Sequence, residues 1–358
     1  MSPTVRVVDA GLQPGRLNIA IDQAIIDLHQ AGAVPDTLRF IHFSPTALVG
    51  RHQDLSAEID LDYCRAHGIG VGRRITGGGA IYLDEGQLGW ALVLRRDALG
   101  TGTLGEAAAR ICHAVAAGLG RLGVDARFRP RNDIEVDGRK ISGTGGFHDG
   151  DTLLYQGTVL VDADTTRMLG ALRVPRAKLE RHQADSAARR VVGLRELLGA
   201  DTPPMGRVQQ ALAEGLAAGL GLRLDAGTLT DAEHALARDL HQRWIGRDDF
   251  VAEIDGAGRD AATRMGEYQG AGGRVAAYLR REGPHRRRIG HLLLTGDFFV
   301  APPRLVFDLE AHLRGTDLAD LRANVAAFFA GREAGTISIT AGDFCTAIER
   351  AADVAGTD

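Results

Sequence analysis

The sequence predicts a protein of the α/β (α+β) class that is divided into two domains. Apolar runs typical of strands alternate along the chain with segments in which apolar residues recur every three or four positions, as in helices. Asp137 and Gly138 separate two short strand-like segments, and this dipeptide is a strong signal for an antiparallel hairpin. Between Trp244 and Tyr268 the glycine and charge content rises and the periodicity fades, which predicts a domain boundary.

The spacing of apolar residues predicts the helices and strands of the first predicted domain, residues 1–245. Helical spacing predicts amphipathic helices, whereas alternating or continuous apolar runs predict strands. The predicted helices cover residues 15–32, 61–68, 104–122, 206–219 and 230–244. The predicted strands cover residues 38–43, 47–50, 88–94, 134–136, 140–142 and 152–161. The last of these helices begins with Thr230 and Glu233 at the spacing of a capping box.

The second predicted domain, residues 246–358, is smaller and of the same class. A strand that ends in a turn is predicted over residues 289–299. Helices are predicted over residues 307–313 and 318–329, with a last helix that begins near residue 341.

Composition and charge exclude several kinds of partner and compartment. The chain has 46 acidic and 42 basic residues, a formal net charge of −4, so we expect no nucleic-acid partner despite the arginines at 286–288. No apolar run reaches the ~18–20 residues of a membrane span, and the first residues lack the apolar core of a signal peptide. The three cysteines are widely spaced without a Cys-x-x-Cys pair, which predicts a reduced, cytoplasmic setting and no structural zinc.

One stretch combines basic side chains with bare backbone, because Arg73 and Arg74 precede the three glycines at 77–79. Consecutive glycines are poor helix and strand formers, but they let a ligand lie against the chain and let amide groups face anionic oxygens. Arginine supplies fork-shaped, charged donors for the same anions. The stretch therefore predicts an anion site, and the alternative is a glycine turn beside a solvated basic pair.

A second stretch combines a hairpin with a lysine. Its turn would hold Asn132, Asp133 and Lys140 near one end of a sheet. The small residues at 142–146 leave room for a ligand to reach the lysine ammonium, and Gly157 in the following strand again predicts close ligand approach. The alternative interpretation is a solvated lysine in an ordinary hairpin.

Together these stretches resemble the lipoate–protein ligase family, which is related in fold to biotin–protein ligases. RRITGGGAIYLD is similar to the family's RR-x-x-GGG-x-x-x-x-D signature, and ALVGRHQD is similar to its strand and GR-x-Q segment. RNDIEVDGRKISGTG resembles the ND-to-GRK-x-SG block, and YQGTVLVDAD resembles the HGT-x-L block. The similarity covers roughly residues 15–200. The segment LLTGDFF at 293–299 resembles the family's accessory C-terminal domain, here on the same chain.

The resemblance implies a fold, a reaction and a set of site residues. The fold is a mixed, largely antiparallel sheet flanked by helices, with a small α/β accessory domain. The reaction is ATP-dependent activation of lipoate to lipoyl-AMP, followed by transfer of the lipoyl group to a lysine of an acceptor protein domain. Lys140 would be the catalytic residue, and Asp133 would hold Mg²⁺. The residues implied in binding ATP, lipoate or the adenylate are Arg74, Gly77, Gly78, Gly79, Ala80, Ile81, Tyr82, Asn132, Asp133, Lys140, Gly143, Gly157 and Thr158.

Two positions depart from the family's pattern. Leu83 stands where the family commonly has a histidine before the aspartate of its glycine motif, and Gln156 replaces the histidine of HGT. Both changes remove an ionisable ring. The preference between lipoate and octanoate and the identity of the acceptor therefore stay open, as does the oligomeric state.

Three alternative activities remain. Octanoyl transferases of the same fold use a cysteine nucleophile and no ATP, but this chain has no cysteine between Cys112 and Cys345, and Cys112 lies on the apolar stripe of a helix. Biotin ligases share the hairpin but resemble GRGR-x-GR where this chain has RRITGGGA. A non-catalytic protein that binds lipoyl-AMP is the third alternative, and the retained Lys140 and Arg74 argue against it.

Two local features have open interpretations. His52 follows a predicted strand, and we expect it on the surface rather than acting as an acid or base. The basic segments 173–178 and 189–194 resemble the part that closes the family's catalytic domain, and they fit either a lid over the nucleotide or a plain surface loop.

Overall fold

The structure is a computed structural model that describes residues 3–130, 132–173, 190–256, 260–270, 272–330, 332, 335–336 and 339–353. Its strands are β1 Thr4–Gln13, β2 Thr37–Phe43, β3 Thr46–Val49, β4 Gly70–Arg73, β5 Ile81–Leu83, β6 Gln87–Arg95, β7 Arg127–Arg129, β8 Asp133–Val136, β9 Arg139–Asp149, β10 Thr152–Leu160, β11 Arg223–Ala226, β12 Arg264–Gly270, β13 Gly273–Glu282, β14 Arg288–Gly296, β15 Val300–Ala301 and β16 Gly335–Thr336. Its α-helices are α1 Gly15–Gln30, α2 Leu55–Glu58, α3 Leu61–Ala66, α4 Leu104–Gly120, α5 Thr165–Ala171, α6 Leu194–Leu198, α7 Met205–Leu220, α8 Asp231–Leu240, α9 Asp248–Val251, α10 Leu305–Leu313, α11 Leu321–Phe329 and α12 Ala341–Asp353. Short 3₁₀ turns cover Gly199–Asp201, Pro284–Arg286 and Leu318–Asp320, and a π-helical turn covers His241–Ile245.

An eight-stranded sheet forms the centre of the N-terminal part of the chain, in the order β11-β1-β2-β6-β10-β9-β8-β7. β1 runs parallel to β11 and β2, and the other neighbouring pairs in this order are antiparallel. A separate three-stranded sheet, β4-β3-β5, flanks the glycine stretch, and β12-β13-β14 form an antiparallel sheet toward the C-terminus. The expected α/β (α+β) class with a mixed, largely antiparallel sheet is confirmed.

Helices cover both faces of the main sheet. α4 begins with a capping box, in which Thr103 Oγ1 accepts from the Glu106 N–H and the Glu106 carboxylate accepts from the Thr103 N–H. α4 and α7 pack closely because Gly118 and Gly215 face each other without side chains. A Cβ at Gly215 would lie only 2.5 Å from Cα of Gly118. On the opposite face of the sheet, α1 packs against β6 and β10. It leaves part of this face open beside its own residues Ile19 and Asp22.

Buried apolar side chains form separate clusters in the two parts of the chain. The cluster around the main sheet runs from Val5 to Phe250, and a smaller one around β3 and β4 includes Val251. A further cluster, from Val275 to Ala351, lies inside the C-terminal part. Phe250 and Val251 therefore pack with the first domain, and the proposed boundary between residues 245 and 246 stays a prediction.

Several local predictions are confirmed. β8 and β9 form the expected hairpin, with positive φ angles of 50° at Asp137 and 75° at Gly138, as a type I′ turn requires. The capping box at Thr230 and Glu233 is present, and α8 ends at Leu240 before the π-helical turn. No helix within the described ranges is long and apolar enough to cross a membrane. Of the two basic segments interpreted as either a lid or a surface loop, residues 174–178 and 189 lie outside the described residues.

Candidate active site

One face of the main sheet forms the floor of a cavity of about 480 Å³. Side chains alternate between the two faces of a strand, so this face carries one row of residues in register. The row consists of Ile41 of β2, Gly89 of β6, Thr158 of β10 and Gly143 of β9. Three interstrand spacings of about 4.8 Å separate its ends, so the row spans about 14 Å. The floor is long enough for an extended acyl chain that lies across the strands.

The two ends of this cavity differ in polarity. Near β2 and α1 the wall consists mainly of the apolar side chains of Ile19, Ile41, Phe43, Leu48 and Leu83. Near β9 it is lined by the polar residues Asn132, Lys140 and Thr158. A molecule with an apolar tail and an anionic head therefore fits the cavity in one orientation, with its head at β9.

Lys140 supplies a charged group at the polar end. Its Nζ lies 2.6 Å from Oδ1 of Asp133, and 39% of the side chain is exposed. The side chain lies over Gly143, where a Cβ would approach Nζ to 2.7 Å. The Lys140 backbone is fixed on both sides, because its N–H donates to Arg190 O and its carbonyl accepts from the Val192 N–H. The backbone is held while the ammonium stays reachable from solvent.

Asn132 is held beside the lysine by a short network. Its Nδ2 donates to Thr144 O at 3.0 Å, while the backbone N–H and the hydroxyl of Thr144 donate to Asn132 O. Behind Thr144, the Tyr155 hydroxyl lies 2.7 Å from Oγ1. The network fixes the residue before β8 to the middle of β9, and so fixes the geometry of the polar end.

The arginines of the glycine stretch have backbone partners. The Arg74 guanidinium donates to the carbonyls of Leu48, Gly77 and Gly79. Burial, together with the charge of Arg73, lowers the pKa of Arg74 to about 10. Arg74 therefore stabilises the conformation of the glycine loop in this structure. Its contact with a phosphate stays a prediction.

A turn of the C-terminal domain packs on the same glycines. The Gly78 N–H donates to Phe298 O at 2.9 Å, and Gly78 has a positive φ of 92°. A Cβ at Gly78 would lie 2.5 Å from the Phe299 ring, and one at Gly145 would overlap the same ring. Phe299 also lines the cavity. The bare backbone thus admits the turn at Phe298 and Phe299 from the C-terminal part of the chain. The sequence interpretation missed this use of the glycines, although it predicted the turn from LLTGDFF.

His52 lies in this interface and not on the surface, so that expectation was wrong. Its side chain is 1% exposed, and its ring stacks on Phe298 with 5.3 Å between centroids. Burial lowers the pKa of His52 to about 3, with the charges of Arg51 and Arg73 acting in the same direction. The sequence could not reveal the burial, because Phe298 comes from a distant part of the chain.

The structure brings most of the predicted site residues together. Those that line the cavity are Arg74, Gly77, Gly79, Ala80, Ile81, Tyr82, Asn132, Lys140, Gly143, Gly157 and Thr158. Gly78 and Asp133 lie next to it, the first against Phe299 and the second against Lys140. Sequence reasoning did not assign Thr76, Gln87 and Thr144, which also line the cavity. Gln87 and Thr144 are single polar residues within strands, and Thr76 lies in the loop before the glycines, so each gave only a weak signal.

The three cysteines of the chain are buried away from this cavity. Cys64, Cys112 and Cys345 are 1%, 0% and 3% exposed. Burial raises the pKa of each thiol, for Cys64 to about 11. Cys112 Sγ contacts Thr144 Oγ1 at 3.4 Å from behind the floor. Thiols that are buried and protonated are poor nucleophiles.

The donor set for a metal is small. Among the described residues, no group of three or more histidine, cysteine or acidic side chains is placed to hold an ion. Asp133 offers one carboxylate beside Lys140. This fits Mg²⁺ carried largely by substrate phosphates, because Mg²⁺ often uses one or two carboxylates and keeps waters and phosphates as its other ligands.

Comparison with known proteins connects the cavity with lipoyl transfer. A profile of the lipoyl protein ligase A/B catalytic domain matches residues 14–217. The octanoyltransferase LipM of Symbiobacterium thermophilum is 32% identical over 274 residues, which cover 70% of this chain and 98% of the relative.

Solved structures show similar chains. A bi-partite lipoate protein ligase from Thermoplasma acidophilum, studied with its E2 lipoyl domain, has a TM-score of 0.62 and 27% identity over 70% of this chain and 97% of that one. Lipoate-protein ligase A bound with ATP has a TM-score of 0.61 and 26% identity over 70% and 99%. P. falciparum LipL1 in complex with lipoate has a TM-score of 0.70 over 93% and 95%, but at 15% identity it supports the fold alone.

Proposed function

The chain belongs to the family of the lipoyl protein ligase A/B catalytic domain, and we propose that it is an ATP-dependent lipoate–protein ligase. It activates lipoate as lipoyl-AMP and transfers the lipoyl group to a lysine of an acceptor protein domain. The observation that carries the proposal is the cavity itself, which has a reachable lysine at its polar end and no cysteine among the described residues of its wall.

The first step follows from the orientation of the acid. With the acyl tail at the β2 end, the carboxylate reaches Lys140, whose ammonium neutralises charge on the carboxylate and on the α-phosphate. A carboxylate oxygen attacks the α-phosphorus of ATP, and pyrophosphate leaves. Lys140 leaves its contact with Asp133 to do so, which its partial exposure permits. The ligase A structure bound with ATP supports nucleotide binding in this fold.

Asp133 and Asn132 complete the polar end. Mg²⁺, when bound, neutralises phosphate charge, and Asp133 is the carboxylate that would hold it. Asn132 has its backbone fixed to Thr144, so its side chain keeps a constant place relative to the phosphates. Both residues therefore act by binding and orientation rather than by proton transfer.

The second step needs an amine and little water. The neutral amine of the acceptor's lysine attacks the carbonyl carbon of lipoyl-AMP, the bond between this carbon and the phosphate oxygen breaks, AMP leaves, and the new amide nitrogen loses a proton to solvent. The apolar walls and the Phe299 ring limit access of water to the anhydride. The lipoyl domain studied with the Thermoplasma ligase supports a protein domain of this kind as the acceptor.

ATP-free octanoyl transfer is a second candidate, because an octanoyltransferase is among the most similar relatives. That route needs an acyl group on a cysteine. Cys112 is the cysteine nearest the floor, but it is fully buried and burial raises its pKa. These observations favour the ligase, in which the acyl group is carried by AMP.

ATP–pyrophosphate exchange tests the proposal. We expect exchange that depends on lipoate or octanoate, no exchange with biotin, and ATP-dependent modification of a lipoyl acceptor domain. The parallel assay supplies an octanoyl thioester without ATP and searches for acyl-cysteine by mass spectrometry. Acyl transfer with a trapped thioester and no exchange would establish the transferase, and absence of both activities in the folded protein would favour a binding protein.

A further inference from the structure

Two buried polar side chains interrupt the apolar end of the cavity. Asp22 of α1 and Gln87 of β6 both line it, and each is 3% exposed. Asp22 has a charged partner, because the Arg39 guanidinium donates to its Oδ1 at 2.5 Å. Asp22 is therefore satisfied by the protein, and Gln87 is the side chain that needs an explanation.

Gln87 has hydrogen-bonding capacity that the protein does not use. Its Nε2 is buried, and no donor–acceptor partner for it is found in the described part of the chain. β6 and β10 are paired so that Gln87 lies opposite Leu160, and both line the cavity. Two other glutamines line the cavity, and the amide nitrogen of each has a protein partner: Gln156 Nε2 donates to Thr76 Oγ1 at 3.1 Å, and Gln269 Nε2 donates to Gly270 O at 3.3 Å.

An amide in this position affects which acyl tail binds more tightly. The terminal torsion of glutamine is soft, so the amide can turn either its oxygen or its nitrogen toward a bound tail. A purely alkyl tail offers no partner and leaves the amide nitrogen unsatisfied, as the described residues leave it in the free protein. A tail with an acceptor atom supplies the missing partner and gains the net energy of one hydrogen bond.

We propose that Gln87 is a specificity-determining residue that favours an acyl tail bearing a hydrogen-bond acceptor, such as the sulfur atoms of a dithiolane ring, over a plain alkyl tail. This inference rests on the proposed function for the orientation of the acid, with the carboxylate at Lys140. It assigns the protein to lipoate rather than octanoate, which have the same acyl chain and differ in the two ring sulfurs.

Equilibrium binding of the two acids without ATP tests this directly. We expect the wild-type protein to bind lipoate roughly tenfold more tightly than octanoate, the scale of one modest net hydrogen bond. Gln87→Leu should bring the ratio of the two dissociation constants close to one, mainly by weaker binding of lipoate. Gln156→Leu is the matched control and should leave the ratio unchanged, because its amide already has a protein partner.

The outcomes separate this inference from the proposed function. An unchanged ratio in Gln87→Leu, or an equal shift in Gln156→Leu, overturns the role of Gln87 even if pyrophosphate exchange is intact. Measurable binding with the expected ratios supports the role even if exchange fails. If neither acid binds the wild-type protein, both proposals fall. Should Gln87→Leu lose its cooperative thermal transition, Gln87→Met replaces it, because this unbranched side chain has nearly the same length.

Discussion

The arginine–glycine loop (residues 73–79) and the lysine hairpin (residues 132–145) look alike in the sequence but differ in the structure. Both combine basic side chains with glycines. In the loop, Arg73 and Arg74 are 1% and 6% exposed, and both guanidinium groups donate to backbone carbonyls. In the hairpin, the Lys140 side chain is 39% exposed and contacts a carboxylate.

The difference teaches where a basic residue can take part in a reaction. A guanidinium whose donors already serve several carbonyls cannot move to a substrate without breaking the loop that it holds. An ammonium with one exposed partner can exchange that partner for a substrate anion at little cost. We therefore expect damage to the loop to reduce stability and damage to the hairpin to reduce activity.

Arg73→Ala should have the largest effect, and it should be on folding. The guanidinium links β4 to the segment after β3 and to α9, through the carbonyls of Gly50, Arg51, Gln53, Phe250 and Val251. Buried carbonyls that lose their partners should reduce the free energy of unfolding by about 3–5 kcal/mol. Urea denaturation measures this value. Arg73→Lys is the matched control and should also destabilise, because one ammonium cannot serve so many acceptors. A wild-type urea midpoint in Arg73→Ala would break the comparison.

Lys140→Ala should have the next largest effect, and it should be on catalysis. Loss of a charged contact with the reacting phosphate reduces the rate by about 10²–10³-fold. The urea midpoint should change little, since the side chain is partly exposed and its ion pair with Asp133 is solvated. ATP–pyrophosphate exchange measures the rate, and Lys140→Arg tests whether charge alone suffices. Near-normal exchange by Lys140→Ala would remove the lysine from the mechanism.

How far the sequence predicts these regions depends on where the partners come from. The hairpin is predicted well, because Asp137 and Gly138 encode its turn locally. The loop is predicted poorly in its role, because the carbonyls that hold Arg73 and the turn that covers Gly78 lie far along the chain. β1 and β12 were also missed, since β1 is partly exposed and β12 mixes two glycines with charged and polar residues without a regular apolar alternation. Local turns and amphipathic helices can thus be predicted from the sequence, whereas contacts between segments far apart along the chain cannot.

Gly78→Ala should destabilise the protein by about 1–3 kcal/mol, a smaller effect that still belongs to the loop. Its φ of 92° strains any other residue, and its new methyl group would meet the Phe299 ring. Gly79→Ala is the matched control, because its nearest neighbour beyond the adjoining residues is 3.8 Å away and its φ is not positive. Thermal unfolding of both variants, each with and without Phe299→Ala, separates backbone strain from contact with the ring. Equal melting temperatures for the Gly78→Ala and Gly79→Ala variants would show that the turn at Phe298 and Phe299 does not require a glycine at position 78.

Gly143→Ala should have the smallest effect, and it tests the hairpin with the same chemical change. A methyl group there would meet Lys140 Cε and Nζ at 2.7 Å, but these atoms are the far end of a flexible side chain that can move aside. The free energy of unfolding should therefore change by less than about 1 kcal/mol. Exchange activity should fall several-fold, because the ammonium is displaced from the place where the carboxylate meets the phosphate. Gly145→Ala, on the same strand and face, should instead lower the free energy of unfolding and change the exchange activity little. Its methyl group would overlap the Phe299 ring from the C-terminal part of the chain. If Gly143→Ala loses stability and keeps its activity, the hairpin has a structural role like that of the arginine–glycine loop, and the contrast between the two regions is wrong.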